Sequence, residues 1–289
     1  MNWKDLEVSV NFPAEIVCEE VGTGETCITL TWTKGEYKAP ALNVTWAVPL
    51  VDIQYEWYPL CGRDRALRTD WDAPIHTSFS TGAPVFCFYN EEGQNRLTIA
   101  LSEVRLEALH SYGVHEEDGT LLCCLKLPLP MTGSAERYSV TLLRLRENMR
   151  YEAALRQVAA WWERVSDTHP MPVPTAARLP MYSTWYSFHQ ETVAADLEAA
   201  CVLAAQDGFR TVIVDDGWQT SDCTRGYGYC GDWQPAPEKI PDMRAHVAHV
   251  HALGMKYMLW YSVPFIGKYS QAARLFEGKT LEYIDSLGA

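Results

Sequence analysis

The sequence predicts an antiparallel β-sandwich followed by the first part of a (β/α)8 TIM barrel, and three observations lead to this fold class. Apolar and polar residues alternate from residue 8 to about residue 146, as they do in half-buried strands. Beyond about residue 175, strand-like and helix-like segments alternate, which is typical of parallel α/β folds. Between the two regions, an apolar helical stripe is followed by a proline-rich segment that indicates a boundary.

The N-terminal region contains many short strand signals with no helix between them. In ITLTWT, the apolar residues Ile28, Leu30 and Trp32 alternate with threonines, and LNVTWAV repeats this period. Polar segments that contain glycine, EEGQN and HEEDG, join further strand-like runs as hairpin loops, and YSVTLLRLRE adds another strand. Short strands in succession favour an antiparallel β-sandwich domain over residues 1–148.

A linking helix and a proline-rich linker are expected over residues 149–174. In NMRYEAALRQVAAWWERV, one helical face carries Leu155, Val158, Trp162 and Val165. The segment HPMPVPT then has three prolines, which end the helix and restrict the backbone.

Residues 175–289 are expected to form a partial (β/α) barrel. The predicted strands are RLPMYSTWYSF, RTVIVDD and MKYMLWYSVPF. The helices between them are TVAADLEAACVLAAQDG, with Thr192 as N-cap and Gly208 past its end, and DMRAHVAHVHALG; another begins at TLEYIDSLGA. Neither of the glycine-rich phosphate-binding motifs, GxGxxG or GxxxxGK[ST], follows a predicted strand. Their absence at these positions disfavours nucleotide-binding folds. A barrel takes roughly 250 residues, so these 115 residues correspond to about three of its eight units.

Charge and composition restrict the partners. The formal net charge is −13 and no basic run reverses it locally, so we expect no nucleic acid partner. No segment approaches the ~18 apolar residues of a membrane span, and Asp5 and Glu7 interrupt the apolar core that a signal peptide needs. The nine cysteines show no disulfide-like spacing, which predicts reduced thiols in a cytoplasmic protein. A bridge or half a metal site at Cys223 and Cys230 is the minor alternative.

Three histidines, His246, His249 and His251, lie on one predicted helix, where a pair at i and i+3 could bind a metal ion. No carboxylate or cysteine is placed to complete such a site. We therefore expect histidines on a solvated helix face and no metal.

Acidic and aromatic residues occur at all three predicted strand ends. They are Trp185 and Tyr186, Asp215 and Asp216, and Trp260 and Tyr261. Adjacent carboxylates cannot straddle a glycosidic bond at the spacings of ~5 Å or ~6.5–9.5 Å that hydrolysis requires. Binding of sugar hydroxyls suits the two aspartates better, although one of them could simply cap the following loop. Aromatic rings beside carboxylates favour a pyranose pocket.

Four motifs, MYSTWYSFHQ, VIVDDGWQ, GDWQPAPEKIPDM and GMKYMLWYSVPF, follow the sandwich in this order. Together they resemble the bacterial α-galactosidases of glycoside hydrolase family 36, over most of the chain. The resemblance implies retaining hydrolysis of terminal α-linked galactose in oligosaccharides, without metal or cofactor. It implies substrate contacts or pocket positions for seven residues: Trp185, Tyr186, Asp215, Asp216, Asp232, Trp233 and Trp260. A sandwich-loop aromatic, Trp71, is a further candidate.

The family's nucleophile ends the fourth barrel strand in a Lys-x-Asp type motif, and its acid/base lies on a later strand. The sequence stops before both positions, and Glu277, Glu282 and Asp285 do not match them. No catalytic residue is therefore assigned, and this chain alone is expected to be inactive.

Other functions remain open from the sequence. A related α-galactosyl transferase or α-N-acetylgalactosaminidase would share these strands and differ in later loops. A non-catalytic carbohydrate-binding protein would need only the binding residues. The full-length form could be a homo-oligomer.

Overall fold

The computed structural model describes residues 1–129, 136–166, 168–224 and 226–285. The chain divides into two compact units, Met1–Pro170 and Met171–Ala289, and each unit has a hydrophobic core of its own. The domain limits expected from the sequence stay predictions.

Unit 1 is built on two antiparallel sheets. Its first six strands are β1 (Asn2–Trp3), β2 (Leu6–Val10), β3 (Glu15–Gly22), β4 (Glu25–Thr31), β5 (Ala41–Pro49) and β6 (Tyr55–Trp57). The next six are β7 (Ile75–Thr77), β8 (Val85–Tyr89), β9 (Asn95–Leu101), β10 (Ala108–His115), β11 (Thr120–Pro128) and β12 (Arg137–Leu145). Their spatial orders are β1-β2-β5-β11-β10-β7 and β3-β4-β12-β9-β8-β6. Two six-stranded antiparallel sheets confirm the predicted β-sandwich.

The main core of unit 1 contains side chains from both sheets. It includes Leu42 and Val44 of β5 in the first sheet and Leu30 and Phe88 in the second, all of them fully buried. Burial of each such side chain stabilises the fold by about 1.5–3 kcal/mol. The alternating pattern seen in the sequence thus places one face of each sheet in a common core.

A second core lies where the helix α1 (Tyr151–Val165) packs against the second sheet. The fully buried residues of α1 are Ala154, Val158 and Trp161. The predicted helical face is confirmed, because Leu155, Trp162 and Val165 pack against the same cluster as Val158. The most buried line of this face runs beside them, through Ala154 and Trp161. Since α1 covers this sheet, every residue of β8 is buried.

Glu56 of β6 is a buried carboxyl group, with 3% of its surface exposed. Its backbone N–H donates to the carbonyl oxygen of Arg65 at 2.9 Å. Burial raises the pKa of Glu56 to about 7, although the positive charge of Arg68 acts in the opposite direction. The carboxylates of Asp64 and Asp72 add smaller effects that also raise the pKa of Glu56.

Glu56→Gln is expected to raise the free energy of unfolding at pH 8 by up to about 3 kcal/mol and to change it little at pH 4. The folded protein keeps the Glu56 proton up to about pH 7, whereas the carboxyl group titrates near 4.5 when unperturbed. Wild-type stability therefore falls as pH rises through this window, and the neutral glutamine removes that loss.

Urea unfolding at both pH values measures the effect of Glu56→Gln, with the exposed Glu36→Gln as the control. An equal gain at pH 4 and pH 8 would show that the ionisation of Glu56 is not the cause.

Unit 2 contains a three-stranded parallel sheet in the order β13-β14-β15, with β13 (Met181–Ser183), β14 (Thr211–Val214) and β15 (Lys256–Leu259). Its described helices are α2 (Trp185–Phe188), α3 (Ala194–Gln206), α4 (Met243–Ala252) and α5 (Ala272–Leu275), preceded by a 3-10 turn at Thr175–Arg178. In the described parts of the chain, no helix is long and apolar enough to cross a membrane.

The two longer helices cover one face of this sheet. Leu197 of α3 and Val250 of α4 pack with Val212 and Val214 of β14 in one buried cluster. On the other face the side chains are less covered: Met181 and Met258 are 50% and 47% exposed. The sheet is therefore packed on one side only among the described residues.

Several boundaries in unit 2 differ from the sequence-based expectation. The third strand ends at Leu259, although MKYMLWYSVPF was expected to continue it to Phe265. The first strand ends at Ser183, and the WYSF segment expected to continue it forms α2 instead. The N-cap of α3 is Val193 rather than Thr192, whose buried hydroxyl makes no hydrogen bond with the residues that the structure describes. Gly208 follows α3 with φ of +90°, as expected for a residue past a helix end.

Two further expectations for unit 2 have different outcomes. The expectation for His246 was wrong, because its ring lies in the protein interior and its Nδ1 is 2.8 Å from Glu198 Oε1. His249 and His251 are exposed. The helix expected from residue 280 is absent over residues 280–284, and its last four residues lie outside the described range.

Candidate functional site

The three parallel strands of unit 2 end side by side. The backbone N–H of Asp215 donates to Thr184 Oγ1 at 3.0 Å, and that of Trp260 donates to the carbonyl oxygen of Val214 at 2.9 Å. Thr184 directly precedes Trp185. The structure thus brings Asp215 to a rim between two neighbouring strand ends that each carry a tryptophan.

The two adjacent aspartates have different environments. Asp216 is 4% exposed, and its Oδ2 and Oδ1 accept hydrogen bonds from the side-chain amides of Gln190 at 2.5 Å and Gln219 at 2.6 Å. Asp215 is only partly buried, and its Oδ1 accepts from the backbone N–H of Asp216 at 2.8 Å. Within the described residues, no hydrogen bond reaches Asp215 Oδ2, whereas both oxygens of Asp216 accept one.

Gly217 makes the turn that separates these two carboxylates from the following loop. Its φ is +111°, a left-handed conformation that favours glycine. A Cβ atom there would lie 2.3 Å from the carbonyl oxygen of Gln190. The chain therefore needs glycine at this position for both its conformation and its close approach to the preceding loop.

An aromatic cluster lies beside the strand ends and is formed by Trp218, Tyr227, Trp233, Trp260 and Tyr261. Trp218 is 1% exposed, and its Nε1 donates to the carbonyl oxygen of Trp260 at 3.0 Å. The ring of Trp233 contacts those of Trp218, Trp260 and Tyr261 at centroid distances of 6.1, 6.0 and 4.9 Å. These rings fix one another's orientation.

The predicted aromatic platforms differ in accessibility. Trp260 stacks against Tyr227 with a centroid distance of 5.9 Å and an interplanar angle of 23°, so another ring covers one of its faces. Trp185 meets His189 edge to face at 5.3 Å. Tyr186 is 87% exposed. Of these three residues, Tyr186 presents the most open ring.

Asp232 makes contacts that stabilise the local fold. Its two carboxylate oxygens accept hydrogen bonds from the backbone N–H groups of Gln271 and Ala272, at 2.8 and 2.9 Å. These bonds satisfy donors at the start of α5. Its predicted contact with substrate stays a prediction, as does that of Trp71, which is 64% exposed in unit 1.

Metal-binding groups and disulfides are absent from the described residues. No cluster of three or more His, Cys, Asp or Glu side chains there is arranged to hold a metal ion. All nine cysteines, including Cys223 and Cys230, have free thiols. The acidic side chains that directly follow β14 at the strand ends are Asp215 and Asp216.

Sequence reasoning missed four residues that build this site: Gln190, Trp218, Gln219 and Lys239, whose Nζ donates to the carbonyl oxygens of Gln190 and Gly217. Gln190 and Lys239 lie 26 and 23 residues from Asp216 along the chain, so no local pattern connects them with it. Trp218 and Gln219 stand inside the quoted motif VIVDDGWQ, and their position directly after the aspartates is the signal that could have identified them.

Comparisons with known proteins match this chain by structure. No family model and no curated protein matches it by sequence. A variant of the GH36 α-galactosidase AgaA from Geobacillus stearothermophilus, solved with raffinose, matches 94% of this chain with a TM-score of 0.52 and 16% identity. The α-galactosidase from Thermus thermophilus, solved with stachyose, matches 95% with the same TM-score and identity. The α-galactosidase from Lactobacillus brevis matches 88% at a TM-score of 0.50 and 12% identity.

The matched region is part of each of these enzymes. It covers 40%, 57% and 37% of the Geobacillus, Thermus and Lactobacillus chains, respectively. At this level of identity the similarity concerns the fold. The resemblance predicted from the motifs is confirmed in that sense: this chain is similar in fold, over about nine-tenths of its length, to glycoside hydrolases, the GH36 α-galactosidases.

Proposed function

We propose that this chain binds the terminal α-galactosyl group of an oligosaccharide, as the sugar-recognition part of an α-galactosidase-like retaining glycoside hydrolase. One observation carries the proposal. The partly exposed carboxylate of Asp215 lies at the rim of a parallel sheet, between strand ends that carry Trp185 and Trp260. Solved α-galactosidases of similar fold have been captured with raffinose and stachyose.

The chemistry of the rim suits a pyranose. A carboxylate accepts charge-assisted hydrogen bonds from sugar hydroxyls, and Asp215 Oδ2 is free of hydrogen bonds within the described residues. Exposed aromatic rings can pack against the apolar face of a sugar, and Tyr186 and Tyr261 are 87% and 47% exposed. Asp216 then has an indirect role, because its carboxylate accepts hydrogen bonds from Gln190 and Gln219 and so holds the loop in place.

We further propose that the parallel sheet of unit 2 is the first part of a (β/α)8 barrel. The half-exposed Met181 and Met258 support this, because side chains on the inner face of a barrel pack against further strands. We place the bond-breaking carboxylates on later strands of that barrel, as the resemblance implies, so this chain alone would bind and not hydrolyse. From its free thiols we propose a cytoplasmic location.

Asp215→Asn is expected to weaken binding of methyl α-galactoside at least tenfold, because the charge-assisted hydrogen bonds to its hydroxyls are lost, which costs about 1.4 kcal/mol or more. Titration followed by tryptophan fluorescence measures the affinity, since three tryptophans of the aromatic cluster lie beside the rim. Asp216→Asn is expected to weaken binding too, by loosening the loop.

The matched control is Asp196→Asn, which changes an exposed aspartate on α3 and should leave the affinity unchanged. Methyl α-glucoside, which differs only at C4, tests the selectivity for galactose. Failure of the wild-type chain to bind the galactoside, or equal affinity of wild type and Asp215→Asn, would contradict the proposal.

A further inference from the structure

Lys239 is a buried lysine in the loop between β14 and α4. Only 7% of its surface is exposed. Its Nζ donates to the carbonyl oxygens of Gln190 at 2.6 Å and Gly217 at 3.0 Å, and to Cys223 Sγ at 3.3 Å. An ammonium group has three N–H donors, so each of them has an acceptor here.

These contacts join three segments of unit 2 at one atom. Gln190 lies between α2 and α3, Gly217 directly follows the Asp215–Asp216 pair, and Cys223 lies further along the same loop. The carbonyl oxygen of Lys239 also accepts from the backbone N–H of Ala194, the first residue of α3, at 3.0 Å. Lys239 therefore fixes the loop before α3 and the loop after β14 relative to each other.

A short series of hydrogen bonds leads from Lys239 to the proposed ligand carboxylate. The two carbonyl groups that Lys239 holds belong to Gln190, whose side chain donates to Asp216, and to Gly217, which follows Asp216 in the chain. The backbone N–H of Asp216 then donates to Asp215 Oδ1. Displacement of either carbonyl group would thus change the orientation of the Asp215 carboxylate.

We propose that Lys239 is a positioning residue for Asp215, an inference that rests on the proposed sugar-binding role of that carboxylate. None of the three hydrogen-bond acceptors of Lys239 is a carboxylate. Removing an ammonium group from water costs several kcal/mol, and an apolar side chain of similar length would fill the same space without this cost. The presence of a buried ammonium group at this position is therefore better explained by the alignment of the two carbonyl groups than by a contribution to the stability of the fold.

The primary test is Lys239→Met, which keeps the side-chain length and removes the N–H donors. We expect its affinity for methyl α-galactoside to fall at least tenfold. In the Asp215→Asn background the same substitution should change affinity less than twofold, because the group that Lys239 positions has already lost its charge. Urea unfolding of the four proteins measures stability separately.

The double-mutant cycle distinguishes positioning from a structural role, since a purely structural lysine would weaken binding by the same factor in both backgrounds. Equal factors would therefore overturn the proposal. If Lys239→Met does not fold, Lys239→Arg replaces it in the cycle, because arginine keeps the charge and donors but not their geometry. The matched control Lys256→Met removes an exposed lysine of β15 and should change affinity less than twofold.

A measurement without sugar separates this proposal from the proposed function. With ¹⁵N-labelled glutamine, NMR follows the side-chain amides of Gln190 and Gln219 on Asp216. Lys239→Met should shift these signals and speed their hydrogen exchange. Unchanged signals would overturn the positioning role, whether or not sugar binds. If the wild-type chain binds no sugar but the signals change, the proposed function fails and the structural link from Lys239 to Asp216 stands.

Discussion

Gly217→Ala is expected to destabilise unit 2 by about 3 kcal/mol or more and to abolish sugar binding. The residue has φ of +111°, where a side chain costs of the order of 1–3 kcal/mol in strain. In addition, the new Cβ would lie 2.3 Å from the carbonyl oxygen and 2.5 Å from the Cα atom of Gln190. Because backbone atoms cannot move aside as a flexible side chain would, the two loops must separate. Urea unfolding and galactoside titration measure the two effects.

Gly208→Ala is the matched control for Gly217→Ala. Gly208 also has a positive φ, +90°, but an added Cβ would meet no atom within 4 Å. Its substitution should cost only the conformational strain, about 1 kcal/mol, and leave sugar binding intact. Similar losses of stability and of sugar binding in the two variants would show that the clash with Gln190 does not add to the effect of Gly217→Ala.

Trp218→Ala is expected to cost about 3–5 kcal/mol in the free energy of unfolding, as is usual when a large buried aromatic residue is truncated. Trp218 is 1% exposed, packs against Trp233 and Tyr261 and donates to the carbonyl oxygen of Trp260. Removal of the indole ring leaves a cavity within the aromatic cluster, and the carbonyl group of Trp260 loses its hydrogen-bond donor. Urea unfolding measures the loss, and the near-ultraviolet circular dichroism should lose intensity.

Trp71→Ala is the control for Trp218→Ala, because Trp71 is 64% exposed and its truncation should change stability by no more than about 0.5 kcal/mol. Trp218→Phe, which keeps an aromatic ring but not the N–H donor, should lie between the two. If Trp218→Ala cost no more than Trp71→Ala, the aromatic cluster could not be the core that supports the strand ends.

The sandwich was predictable from the sequence because its residues alternate between a buried and an exposed face. Ile28, Leu30 and Trp32 are all buried, as their spacing in ITLTWT indicated. The face of α1 was not predictable to the residue, since helical spacing defines a broad stripe. Its centre depends on which sheet residues pack against it, and these range from Val85 to Leu145, on strands distant from one another in the chain.

The strand ends of the candidate site were also visible in the sequence, because acidic and aromatic residues follow apolar runs. The different environments of Asp215 and Asp216 were not visible in the sequence, since the hydrogen bonds of Asp216 depend on Gln190 in another loop. His246 shows the same limitation. A histidine within a polar helix indicated a solvated face, but Glu198 on α3 supplies a partly buried partner that helical spacing cannot show.

The exposed thiol of Cys223 has a practical consequence for anyone who purifies or labels this protein. Its sulfur accepts a hydrogen bond from Lys239 Nζ at 3.3 Å, so a group that an alkylating reagent attached to this sulfur would lie against the hydrogen-bonded loops behind Asp215. Iodoacetamide treatment before a binding assay would therefore alter the affinity for sugar that the assay measures, whereas storage with a mild reductant would keep the thiol unmodified.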